Sequence, residues 1–108
     1  MKNNNLRRAV LTAHYALERS KREELIRLIG EGHIVCTCKI DKHHKNGPEI
    51  HQITSTGIIV IYNERTGKLV TKLIARPNQL KRYFHGGYVP NYLFKIAKEH
   101  QRRGFNYL

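Results

Sequence analysis

Apolar positions along the chain change their period twice, and each change marks a different kind of element. Leu6, Val10, Ala13 and Leu17 recur at helical spacing, and Leu25, Ile26, Leu28 and Ile29 carry an apolar stripe up to Gly30. Between them Ser20-Lys21-Arg22-Glu23 fits a capping box, in which the Ser hydroxyl and the Glu carboxylate satisfy reciprocal backbone amides. The spacing therefore predicts two helices, over about residues 6–19 and 21–29, the second closed by Gly30 in a left-handed cap. From Gly32 the period becomes two: Ile34, Cys36, Cys38 and Ile40 alternate with Val35, Thr37 and Lys39, a half-buried strand. A polar, basic loop from Asp41 to Pro48 leads into a short strand near Glu49 to Thr54.

The stretch Gly57 to Arg76 reads as a hairpin. Ile58 to Tyr62 is an unbroken β-branched and aromatic run, Asn63 to Gly67 is a turn, and Leu69 to Ala75 is a second strand. If Glu64 to Gly67 form the loop, Tyr62/Leu69, Val60/Thr71 and Ile58/Leu73 share one face, and Ile61/Val70, Ile59/Lys72 and Gly57/Ile74 share the other. Both faces are largely apolar, which predicts a central strand pair covered on both sides. Pro77 ends the pairing, and Asn78 to Phe84 has the character of a short helix before Gly86-Gly87. A last helix starts at Pro90-Asn91, with Leu93, Ile96, Ala97 and His100 on one side and Lys95, Lys98 and Arg102 on the other, and Gly104 stops it. The expected architecture is α+β: two N-terminal helices, a four-stranded antiparallel sheet with a central hairpin, and a C-terminal helix, in a single domain over residues 1–108.

Charge narrows the function. Twenty Lys and Arg against eight Asp and Glu give +12, repulsion that a polyanionic partner would relieve, with nucleic acid the leading candidate. The basic residues are spread along the chain and no apolar run approaches a membrane span, so a membrane partner is not expected. MKNNNLRR lacks the apolar core of a secretion signal, which points to the cytoplasm. Cys36 and Cys38, two apart on a strand, are expected to be reduced core thiols because extended backbone disfavours a disulfide between them. With His43, His44 and His51 they supply zinc-type ligands, but the usual C-x2-C and H-x3-H spacings are absent, so neither metal nor other cofactor is expected. A phosphate-binding glycine loop, a paired acidic metal site and a nucleophile elbow are all missing.

The first helix reads His14-Tyr15-Ala16-Leu17-Glu18 and then Arg22; Gly30 or Gly32 follows, and the last strand contains Val70-Thr71. In this order, over residues of about 9–76, the chain resembles the small ribonuclease-toxin superfamily that groups barnase, the colicin tRNases and the RelE toxins, several of them from phages and other mobile elements. Glu18 stands where the pattern has a first Arg, with Arg19 beside it. The resemblance implies a metal-independent endoribonuclease, with RNA as substrate and an acidic antitoxin or immunity protein as a further partner. Such cleavage needs a base for the 2′-hydroxyl, an acid for the leaving oxygen and cations for the charge gathering on phosphorus. His14, Arg22, His51, Thr71, Lys72 and Arg76 are the catalytic candidates.

Each has a plainer explanation. His14, Glu18 and Arg22 lie along one helical side, as a surface ion pair would require; Glu49 shares a strand face with His51 and can orient it, or His51 is simply exposed. Thr71 is a good strand former, and Lys72 and Arg76, four apart on an extended strand, suit either a phosphate backbone or solvent. Tyr62, Lys68, Lys81, Arg82 and Tyr83 add cations and aromatic rings of the kind that hold single-stranded nucleic acid. The alternatives to a nuclease are a non-catalytic nucleic-acid binder and an interaction protein for an acidic partner. Convergence of His14, His51, Thr71 and a cation in one groove distinguishes the nuclease from the binder.

Overall fold

The computed structural model describes residues 17–41 and 46–107. It is α+β, with a four-stranded antiparallel meander in the order β1 (Ile34–Ile40), β2 (Glu49–Thr54), β3 (Ile58–Asn63) and β4 (Leu69–Ile74). A helix through 17–29, α1, precedes the sheet; a single turn α2 (Pro77–Leu80) and the longer α3 (Asn91–Arg102) follow it. Two helices meeting at Ser20 are not found: the chain is helical straight through Ser20. Nothing in Ser20-Lys21-Arg22-Glu23 opposes mid-helix placement, so the capping box is a sequence match without a cap. The part of the first expected helix that carries Leu6, Val10, Ala13 and His14 lies outside the described residues, as do His43 and His44. Gly30 closes α1 as expected, with φ of 81° and its amide donating to the Ile26 carbonyl at 2.8 Å.

Ile58, Ile59, Val60 and Ile61 are all buried, because helices cover both sides of β3. On one side Ile58, Val60 and Ile74 pack with Ile26 of α1, joined by Leu25, Ile29, Tyr62 and Phe105. On the other, Ile53, Ile59 and Ile61 pack with Ala75, Leu80, Leu93 and Ala97, so that α2 and α3 form the second cover. Fully burying one such side chain contributes roughly 1.5–3 kcal/mol. His100 is buried on the inner side of α3, and desolvation holds its imidazole below the usual pKa, so it stays neutral at pH 7.

The hairpin departs from expectation in two respects. Only β3 is central; β4 is an edge, and Leu69 and Val70 are exposed. The turn itself is as expected, with Asn63 Oδ1 accepting from the Arg65 and Thr66 amides and Gly67 at φ of 68°. Tyr62 pairs with Leu69 as the turn dictates, but Ile61 pairs with Thr71, leaving Val70 as the extra residue of a β-bulge. Beyond it the register moves by one: Val60 faces Lys72, Ile59 faces Leu73 and Ile58 faces Ile74. Lys72 is thereby turned to the α1 side and Leu73 to the core of the other side, which is the apolar-in arrangement that the simple register would have inverted.

Replacing Leu93, fully buried under the sheet, with Ala is expected to cost about 2–5 kcal/mol. Val70→Ala, at an exposed edge position, is expected to cost about 0.5 kcal/mol or less. Denaturant titration measures both, and comparable losses would contradict this division between core and edge.

Candidate functional site

The bulge and the closing turn of α1 together build a basic groove beside the β4 edge. Its cavity of about 520 Å³ is lined by Arg19, Arg22 and Arg27 from α1 and by Thr71 and Lys72 from β4, with Glu23 and Glu31 as the carboxylates. Arg22 Nη2 donates to Thr71 Oγ1 at 3.2 Å, a link across 49 residues of chain. Arg22 Nε is buried and has no acceptor among the described residues. Lys72 is ion-paired with Glu31, which follows the helix cap. Both partners are partly exposed, and such pairs contribute only about 0–1 kcal/mol, so an incoming anion can take the ammonium from Glu31.

His51 belongs to a different place. It packs on the α2–α3 side of the sheet, where His51 Nδ1 lies 2.7 Å from the Tyr83 hydroxyl and Nε2 lies 3.1 Å from Glu49 Oε1. Burial raises the Tyr83 pKa, with Arg82 acting in the opposite sense, so the phenol remains protonated. The consistent donor set is then Tyr83 O–H to Nδ1 and Nε2–H to the Glu49 carboxylate. Glu49 orients His51, as the strand spacing suggests, but both ring nitrogens are engaged and the imidazole is only 12% exposed. Cys36 and Cys38 lie beside this cluster as free thiols, 3.6 Å apart at sulfur, each donating to the Tyr83 carbonyl at 3.5 and 3.6 Å. Among the described residues no group of three or more His, Cys, Asp or Glu is arranged to hold a metal ion.

The remaining candidates are dispersed. β4 ends at Ile74, so the alternation that put Lys72 and Arg76 on one side does not extend to Arg76. Arg76 instead caps α2 and donates through Nε to the Asn106 carbonyl at 3.3 Å. It lines a second groove with Arg82, Lys98 and Phe94. Tyr62 packs against the α1-side core, Lys68 is exposed in the hairpin turn, and Lys81 lies 5.8 Å from the Phe94 ring centroid. Tyr83 turns inward against the core. The structure thus brings together Arg22, Thr71 and Lys72, pairs His51 with Tyr83, and separates these two groups by the thickness of the sheet. His14 lies outside the described residues. The chief addition is that Lys98 and Asn106 join Arg76 and Arg82 in one groove; the two arginines are candidates from the sequence and Lys98 lies on the polar side of the last helix, but nothing in the sequence marked Asn106.

Compared with protein-family models, with curated proteins and with solved structures, the chain finds no match in any of the three. Among the described residues no helix is long and apolar enough to cross a membrane.

Burial and the neighbouring Cys38 push the Cys36 thiol above its usual pKa. At neutral pH Cys36 is therefore expected to react with a thiol-directed disulfide reagent more slowly than the same cysteine in the denatured chain. Stopped-flow absorbance on a Cys38→Ser variant isolates it, and a native rate equal to or above the denatured one would contradict the assignment.

Proposed function

We propose that this protein is a metal-independent endoribonuclease whose substrate phosphate sits in the α1–β4 groove. The observation that carries the reading is the Arg22–Thr71 hydrogen bond beside Lys72, which brings a guanidinium from α1 to a hydroxyl and an ammonium of β4 in one groove. When a 2′-hydroxyl attacks the adjacent phosphorus, negative charge accumulates on the non-bridging oxygens; Arg22 and Lys72 oppose it and the Thr71 hydroxyl orients one oxygen. Proton transfer falls to His14, eight residues before Arg22 in the sequence and the group that the resemblance supplies. His51 is left out of the chemistry, since it is fixed by Tyr83 and Glu49 on the other side of the sheet. The +12 charge provides long-range attraction for RNA, and an acidic antitoxin or immunity protein would compete for the same groove.

A second reading, a non-catalytic RNA binder, is favoured by one observation: the groove contains no histidine among the described residues. Cleavage of a single-stranded RNA in the presence of a chelator decides between them. The nuclease reading expects cleavage that a 2′-deoxy substitution at the scissile position abolishes. His14→Ala and Arg22→Ala are expected to slow it by about 10²-fold or more, while His51→Ala leaves the rate near wild type. Binding is expected to weaken at least about tenfold from 50 to 200 mM salt under either reading. Salt-dependent binding without cleavage supports the binder, and affinity flat with salt removes both.

A further inference from the structure

The groove at the far end of β4 differs in character from the one beside α1. Its cavity of about 740 Å³ lies between the end of β4, α2 and α3, and its lining includes Arg76, Arg82 and Lys98 but no carboxylate among the described residues. Arg82 and Lys98 are exposed, and neither forms an ion pair with a described residue; the Lys98 ammonium rests 4.7 Å from the Phe94 ring centroid. Positive charge alone would attract any anion. Asn106, on the same lining, adds a second and independent requirement.

Asn106 is 6% exposed. Its Nδ2 donates to the Ala75 carbonyl at 3.3 Å, which fixes the orientation of the amide, and its backbone carbonyl accepts from Arg76 Nε. That leaves Oδ1 buried with no donor among the described residues. A buried acceptor without a donor is costly, and its place on a residue that lines a groove with three cations suits a ligand carrying both an anionic group and an N–H donor. Inorganic phosphate meets only the first condition, and a lone amine only the second. We infer that this groove is a nucleotide subsite, taking phosphate on Arg76, Arg82 and Lys98 and the exocyclic amine of the base on Asn106 Oδ1.

The subsite stands independently of the cleavage chemistry proposed for the α1–β4 groove, and its test does not involve cleavage. Adenosine 5′-monophosphate and purine riboside 5′-monophosphate, which lacks only the amine, are titrated into the full chain at low salt and followed by calorimetry. The adenosine nucleotide is expected to bind about tenfold more tightly, the size of a lost hydrogen bond to a buried acceptor. Arg82→Gln/Lys98→Gln is expected to weaken it by about tenfold or more, since both phosphate partners are exposed groups whose replacement spares the core. Lys95→Gln, which removes one positive charge from α3, as Lys98→Gln does, at a residue that does not line the groove, leaves affinity unchanged. Equal affinity for the two nucleotides, no binding of the adenosine nucleotide at millimolar concentration, or equal weakening by Lys95→Gln would each overturn the inference. A chain that binds the nucleotide as expected but fails to cut RNA would retain this subsite and lose only the nuclease reading.

Discussion

A strand that is apolar on both faces cannot be left with either face in water, and β3 imposes that constraint on the rest of the molecule. Ile58 and Val60 call for one cover and Ile59 and Ile61 for another, so α1 must pack on one side and the α2–α3 segment on the other. With β2 on one flank and β4 on the other, Ile58 to Ile61 of β3 are buried on both faces. The polar residues of the hairpin are then forced to the β4 edge, where helices overhang it. Both basic grooves lie along that edge, one against α1 and one against α2 and α3.

The bulge at Val70 reconciles the turn with the core. A two-strand register set by the turn alone would put Leu73 beneath α1 and Lys72 among the apolar side chains under α3. One extra residue reverses this: Lys72 reaches Glu31 at the end of α1, Leu73 joins the α3-side core, and Thr71 is left where Arg22 can donate to it. An unmatched ammonium in the core would have been far more costly than the local loss of ladder pairing. The same displacement that protects the core therefore brings Lys72 into the groove with Arg22 and Thr71. Charge complements this arrangement, since the carboxylates near the groove, Glu23 and Glu31, are too few to neutralise Arg19, Arg22, Arg27 and Lys72.

Much of the architecture was legible in the residues. The change of period at Gly32, the Asn63–Gly67 turn, the cap at Gly30 and the Leu93–Ala97–His100 stripe each state a local rule that tertiary packing obeys. Ser20 was misleading because a capping box is short and Ser is tolerated within a helix whose apolar side is buried. The bulge left no mark, as Val70 has no special backbone requirement and is decided by competition between turn and core. Glu49 and His51 were legible as a pair from strand alternation, but their side of the sheet was not, since it depends on which helix covers that face. Asn106 acquires its role only when the chain after Gly104 returns to Ala75, a contact spanning 31 residues.

The central claim, that the β4 edge beside α1 is the surface that meets RNA backbone, is tested most directly by amide chemical-shift mapping of the isotope-labelled chain with a short single-stranded RNA that carries 2′-deoxyribose throughout its scissile region. The account predicts that the largest shifts fall at Arg22, Gly30, Val70, Thr71 and Lys72, with Cys38, Glu49 and His51 nearly still. Shifts centred on Cys38, Glu49 and His51, or spread evenly over the surface, would contradict it.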